Sequence, residues 1–170
     1  MKRYGFYKIL ILAALLFIIN YSCNAPTRSA FEYNNMIVDQ EIPATESIYK
    51  FKGAIENQNY QELEVLKENA IEQIKKSIEN VQSLHDYKGS VDYKNAALSL
   101  FETYKGIIEN EFTSIIEILK QNRNNISKNT YQKILDIEKQ AEIKIESKMK
   151  ELKKKQMEFA ENNNLIISNN

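Results

Sequence analysis

The chain has 170 residues, with 23 Lys and Arg against 23 Asp and Glu, so it has room for one ordinary core and offers no electrostatic reason to bind nucleic acid. Four Gly, two Pro and no Trp exclude a turn-rich β fold and a disordered linker, while ten Tyr and seven Phe suffice to build a core.

The first 22 residues read as an address. Lys2, Arg3 and Lys8 make a positive start, Ile9 to Ile19 is an uncharged apolar run, and Asn20-Tyr21-Ser22-Cys23 follows. This is the layout of a secretory signal. Eleven apolar residues fall well short of the roughly 20 that a helix needs to span a bilayer. The segment resembles a lipobox: small Ser22 directly precedes Cys23, although Asn20 stands where such motifs usually carry Leu and Tyr21 is bulky. Cys23 is the only cysteine, so no intrachain disulfide exists and its place at the end of the apolar run points to acylation, palmitate included. The alternatives are a free thiol behind an ordinary signal or an uncleaved membrane helix. Removing three of the 23 basic residues with the signal leaves 20 against 23 acidic ones, a net charge of −3.

The expected division is a signal peptide over 1–22, the lipid-bearing Cys23 with a polar tether over 23–29, a helical domain over 30–165 and a tail over 166–170. Residue 24 is Asn rather than Asp, which in proteobacteria suggests the outer membrane.

Four amphipathic stretches follow the tether. Tyr33, Ile37, Gln40, Ala44, Ile48, Phe51 and Ile55 recur at helical spacing and stay in phase across Pro43, so a kink there is expected rather than a reversal. Asn57-Gln58-Asn59 marks a turn. The second stripe is Leu63, Leu66, Ala70, Ile74, Ile78, Val81 and His85, with Gly89 as the stop. The third is Ala97, Phe101, Tyr104, Ile108, Phe112, Ile115 and Leu119; Gly106 within it weakens the helix or permits close helix approach. Ser127 or Asn129 caps the fourth, which carries Tyr131, Ile134, Glu138, Ala141, Ile145, Met149, Leu152 and Phe159 on one face and many Lys elsewhere. Leu165-Ile166-Ile167 is positioned to clip back onto the bundle. Four such stretches joined by short turns predict an all-α, antiparallel up-down four-helix bundle, its first helix kinked at Pro43.

The segments Tyr33-Asn34-Asn35-Met36-Ile37-Val38, Asp86-Tyr87-Lys88-Gly89, Asn95 to Phe101, Glu109-Asn110-Glu111-Phe112 and Phe159 to Leu165 carry a resemblance. Over about residues 30 to 165 the chain resembles an uncharacterised family of small bacterial surface lipoproteins found in Leptospira and Bacteroidetes. The resemblance implies an envelope lipoprotein with a helical domain and carries no activity with it.

No motif commits to a reaction. His85 is the only histidine, no Gly-x-Ser-x-Gly elbow exists, and Gln82 stands where a Glu-x-x-His metal motif needs Glu. Haem, zinc and phosphate-loop patterns are missing, so no cofactor is expected. His85 reads as a turn residue, with pH sensing as its functional alternative. Glu138, on the apolar stripe, reads as a lysine-solvated carboxylate or as a buried one of raised pKa. The lysines from Lys148 to Lys155 read as a solvated face or as a contact for anionic lipid. The expectation is a non-enzymatic envelope lipoprotein, anchored at Cys23, that binds or scaffolds an envelope protein partner. The alternative is a carrier of an apolar small molecule, in a cavity left by Gly106, Ala97 and Ala141.

Overall fold

The computed structural model describes residues 25–56, 62–122 and 126–165, with side-chain surroundings from Ala30 onward. The described residues form an all-α helical bundle: α1 (Ala25–Glu56), α2 (Leu63–Ser83), α3 (Val91–Ile107), a π-helical turn (Ile108–Phe112), α4 (Thr113–Gln121) and α5 (Lys128–Asn162). α3, the π turn and α4 abut and make a single rod, so the bundle has four rods. The signal, Cys23, the Asn57-Gln58-Asn59 turn and the Ile166 to Asn170 tail lie outside the described residues.

α1 begins at Ala25, so residues 25–29, expected as a tether, belong to the helix. Pro26 sits in the first turn, where its missing N–H has no intrahelical partner to lose. Pro43 lies inside α1 and does not end it. Ser47 Oγ donates to the Pro43 carbonyl at 2.7 Å, a local bond within the same turn.

α2 stops at Ser83, earlier than the His85 end of its apolar stripe. Leu84 turns extended, and Lys94 Nζ donates to its carbonyl at 2.6 Å while pairing with Asp86 at 3.1 Å. A cation at a helix C-terminus also suits the helix dipole. Gly89 adopts φ 76°, in the turn that leads into α3 rather than at the helix end. Buried Ser90 closes that turn: its hydroxyl accepts from Tyr87 N at 2.8 Å. Ser127 caps α5, its side chain accepting from Thr130 N at 3.1 Å; Asn129 lies inside the helix. α5 ends in a Schellman motif. Asn164 takes positive φ, Leu165 N donates to Ala160 O at 2.8 Å, and Leu165 is thereby folded into the core.

The π turn was not foreseen. Along the third rod the buried positions run Tyr93, Ala97, Leu100, Tyr104, Ile107, then Ile108, Phe112, Ile115 and Leu119. The extra residue of a π turn shifts the apolar stripe by one position, which keeps both halves facing the core. Two side chains serve its displaced carbonyls: Asn110 Nδ2 donates to Gly106 O at 2.8 Å and Thr113 Oγ1 to Ile108 O at 2.9 Å. Phe51 of α1 meets Phe112 of the turn, ring centres 6.1 Å apart.

The core is one continuous cluster from Ala30 to Leu165. Every stripe position expected on α1 is buried except Gln40, which lies at the rim and accepts from Asn80 of α2 at 2.9 Å. Tyr131 departs from the fourth stripe and is exposed. α1 meets Tyr93 and Tyr104 of α3 at Asn34 and Thr45, so numbering rises together along these rods. It meets α5 at Gln156 from Asn34 and at Glu142 from Lys52, so numbering runs oppositely there.

Gly106 does not serve close helix approach: a Cβ there would meet no atom within 4 Å. Gly106→Ala should therefore raise stability by up to about 1 kcal/mol, through helix propensity alone. Gly89→Ala should lower it by about 1 kcal/mol, because its φ disfavours a side chain. Urea unfolding of the two variants checks both signs, and a destabilised Gly106→Ala would refute the open surroundings.

Candidate functional site

α1 presents two seams. One is the apolar stripe read from the sequence. The other runs Asn34, Val38, Glu41, Thr45, Tyr49 and Lys52, again at spacings of three and four, and carries the polar groups that meet α3 and α5. At one end Asn34 is buried, and its Oδ1 accepts from the Tyr93 hydroxyl at 3.2 Å and from Gln156 Nε2 at 2.9 Å. One carboxamide thus joins α1, α3 and α5. Further along, Thr45 Oγ1 and the Tyr104 hydroxyl lie 3.2 Å apart. Lys52 reaches Glu142 at 2.8 Å and Glu56 at 3.8 Å.

Beside Asn34, an aromatic cluster closes the end of the bundle. Phe159 of α5 packs against Tyr93 at 5.5 Å, Tyr33 at 5.7 Å and Tyr87 of the α2–α3 turn at 6.0 Å between ring centres. The exposed turn needs such an anchor, since it has little apolar surface of its own. The Tyr33 hydroxyl is buried with no hydrogen-bond partner among the described residues, as is the Ser77 hydroxyl.

The seam also holds the carboxylate most perturbed by its surroundings, and it is not the one singled out from sequence. Burial pushes the Glu41 carboxyl up to about 7, and no cation lies near enough to oppose it. Its neighbours are tyrosines: its charge helps hold the Tyr93 and Tyr104 hydroxyls above their ordinary value, after the larger effect of their own burial. Glu138 is half-buried and is also raised, first by burial; Lys52 works against the shift, and Glu56 and Glu142 add to it. Lys52 hydrogen-bonds Glu142 rather than Glu138. Tyr49 is raised by burial, with Lys52 opposing and Glu142 and Glu146 assisting. The spacing of Asn34, Glu41, Thr45 and Lys52 was the available signal; it escaped notice because the adjacent apolar stripe explained the helix by itself.

His85 is exposed in the α2–α3 turn and far along the chain from the seam carboxylates. Cys23 lies outside the described residues. Among the described residues no group of three or more His, Cys, Asp or Glu is arranged to hold a metal. Of the small residues expected to leave a cavity, Ala97 and Ala141 are packed into the core and Gly106 faces open space. An open hollow on the outside is lined by Lys150, Lys153, Lys154, Met157, Glu158 and Glu161 of α5.

That hollow belongs to a longer outward stripe of α5. Tyr131, Leu135, Ile143 and Met157 are 53, 38, 50 and 40% exposed, and Lys139, Lys150 and Lys153 stand between them. The neighbouring lysines are engaged: Lys148 with Glu151, Lys154 with Glu158, and Lys155 with both Asp92 and Glu158. Among the described residues Lys139, Lys150 and Lys153 make no ion pair.

Two measurements test the seam. Folded Glu41 keeps its proton above the range where an unfolded Glu loses it. Below pH 4.5 both states are protonated and the group contributes nothing. From 4.5 to about 7 stability falls as pH rises, and above that the whole penalty is present. Glu41→Gln should thus be close to neutral at pH 4 and stabilising by about 2 kcal/mol at pH 8, discounted because the side chain keeps some contact with water. Equal effects at both pH values in urea unfolding would refute this. Tyr33→Phe should be neutral or slightly stabilising, whereas Tyr93→Phe should cost about 1 kcal/mol by removing one donor from Asn34. Thermal unfolding of the pair reads that contrast directly.

No family model matches the chain, and neither a curated protein nor a solved structure does.

Proposed function

We propose that the chain is a membrane-anchored envelope lipoprotein, held through Cys23, whose helical domain is a non-enzymatic binding or scaffolding module. The leader supports the anchor: a positive start, an eleven-residue apolar run and a lone cysteine at its end. No helix among the described residues is long and apolar enough to cross a membrane, and the acylated cysteine supplies attachment without one. The observation that carries the binding reading is the outward stripe of α5. Among the described residues, thirty-one apolar side chains pack into a single core while four large ones stay aligned in water on one helix. Scattered exposed apolar residues need no explanation, but a run along one face marks a contact surface. Of the tyrosines near helix ends that would suit a partner contact, Tyr87 is half-buried and Tyr93 is fully buried, and Tyr60 lies outside the described residues.

The anchor is tested by expressing wild type and Cys23→Ala in a bacterium and taking intact masses of membrane and soluble fractions. Wild type should appear in the membrane fraction, beginning at an acylated Cys23, and the variant should not. Release of both forms after cleavage elsewhere would remove the lipoprotein reading.

A further inference from the structure

We infer that the outward stripe of α5 is a second membrane contact, on which the bundle lies against anionic lipid headgroups. The inference rests on the anchor proposed above and names the partner of the exposed face.

The first argument is the stripe's composition. Positions 131, 135, 139, 143, 146, 150, 153 and 157 recur every three or four residues, all exposed, over about 40 Å of helix. Four are large and apolar, three are lysines without ion pairs, and Glu146 is the one acid. Apolar side chains interleaved with cations are what a helix lying in the headgroup region presents. A protein surface would have to match a long, open face; a fluid layer of anionic headgroups conforms to it. The charge is also local. The mature chain is net negative, so the free cations of this stripe run against the overall balance.

The second argument is reach. α1 begins at Ala25, two residues past Cys23, so the link between anchor and bundle extends at most about 7 Å. A bundle held so closely has its near end at the headgroups, whatever its tilt. Standing upright, it would hold Lys150 and Lys153 some 20 to 25 Å above them, because α5 runs against α1 and these lysines lie level with Val38 to Ile42. That is beyond electrostatic range at physiological salt, about 8 Å. Lying on α5 brings Met157, Ile143, Leu135 and Tyr131 to the interface together with the lysines. α2, which packs against α1 and α3, then faces away from the bilayer with Lys75 and Lys76 in water.

The test uses the mature, anchored protein in vesicles of phosphatidylcholine alone or with one quarter phosphatidylglycerol, and amine-reactive labelling followed by peptide mass analysis. Labelling of Lys150 and Lys153 should fall at least threefold in the anionic vesicles, labelling of Lys75 and Lys76 should not change, and 0.5 M salt should restore the difference. The variant Lys139→Glu with Lys150→Glu and Lys153→Glu alters exposed positions alone and should abolish the lipid-dependent protection of Lys154. Equal labelling of the α5 and α2 lysines in both vesicles overturns the inference. Failure of the anchor is read separately, from the mass of the protein. If Cys23 carries no acyl group, the anchor and the inference that rests on it both fall, whereas an acylated protein whose α5 and α2 lysines label equally overturns the inference alone.

Discussion

The buried carboxamide of Asn34 is the point on which the arrangement of rods depends. Apolar stripes specify that helices pack, but ridges of Ile, Leu and Ala tolerate sliding by a turn at modest cost. A buried acceptor does not. Asn34 Oδ1 takes one hydrogen bond from α3 and one from α5, and a shift of either rod would strand a polar group in the interior. Each bond contributes about 1 kcal/mol net, but an orphaned partner costs about 1 to 3 kcal/mol, so the penalty for the wrong register exceeds the reward for the right one. Thr45 with Tyr104 repeats the device three turns on, and Lys52 with Glu142 repeats it near the far end of α1. Polar pairs spaced along the seam thus do for this bundle what a single buried Asn does for a coiled coil.

Glu41 sits in the same seam and works against it. It has a tyrosine on either side, no cation in range and a carboxyl that burial holds neutral up to about pH 7. Its neighbours explain why the position does not simply collapse: the two tyrosine hydroxyls are already committed, Tyr93 to Asn34 and Tyr104 to Thr45. An ionised Glu41 therefore gains no donor from Tyr93, whose proton goes to Asn34. The seam loses stability as pH rises through the titration of Glu41, whereas α1 and α2 join through apolar side chains and the neutral Gln40–Asn80 bond.

The all-α bundle and the α1 and α2 stripes were legible in the sequence because period and burial agree wherever a helix has one apolar neighbour. Ile37, Ile48, Phe51, Ile74 and Val81 all lie where spacing puts them. Legibility ended where a helix has two neighbours or a local device intervenes. On α1 the second seam is polar, so a search for apolar periodicity passes over it. On the third rod, stripe residues on both sides of Ile108 are buried, and only the backbone shows the π turn that reconciles their phases. Tyr131 keeps the helical period of α5 yet faces water, because the first turns of a long helix can outrun the partners that would cover them. The tether failed for another reason: polar residues with a proline read as loop, but proline in a first turn starts helices as readily as it ends them.

Weak surface chemistry becomes consequential when the anchor is short. A juxtamembrane lysine contributes about 1 kcal/mol toward anionic lipid, so three lysines and a few half-exposed apolar side chains would leave a free protein mostly in solution. An acylated Cys23 changes the reference state. Once the chain is already held at the bilayer, docking the α5 face is intramolecular, with an effective concentration in the millimolar range for a link of a few residues. The same stripe then decides orientation rather than attachment. The rigidity of the bundle does the rest: Asn34, Thr45 and Lys52 lock α1 to α3 and α5, so on the proposed anchor α1 could not turn without turning the whole domain. A longer tether would decouple the two, leaving the lysine stripe free to face any direction. On the proposed anchor, the short sequence between Cys23 and α1 would make which face meets the membrane a property of the fold.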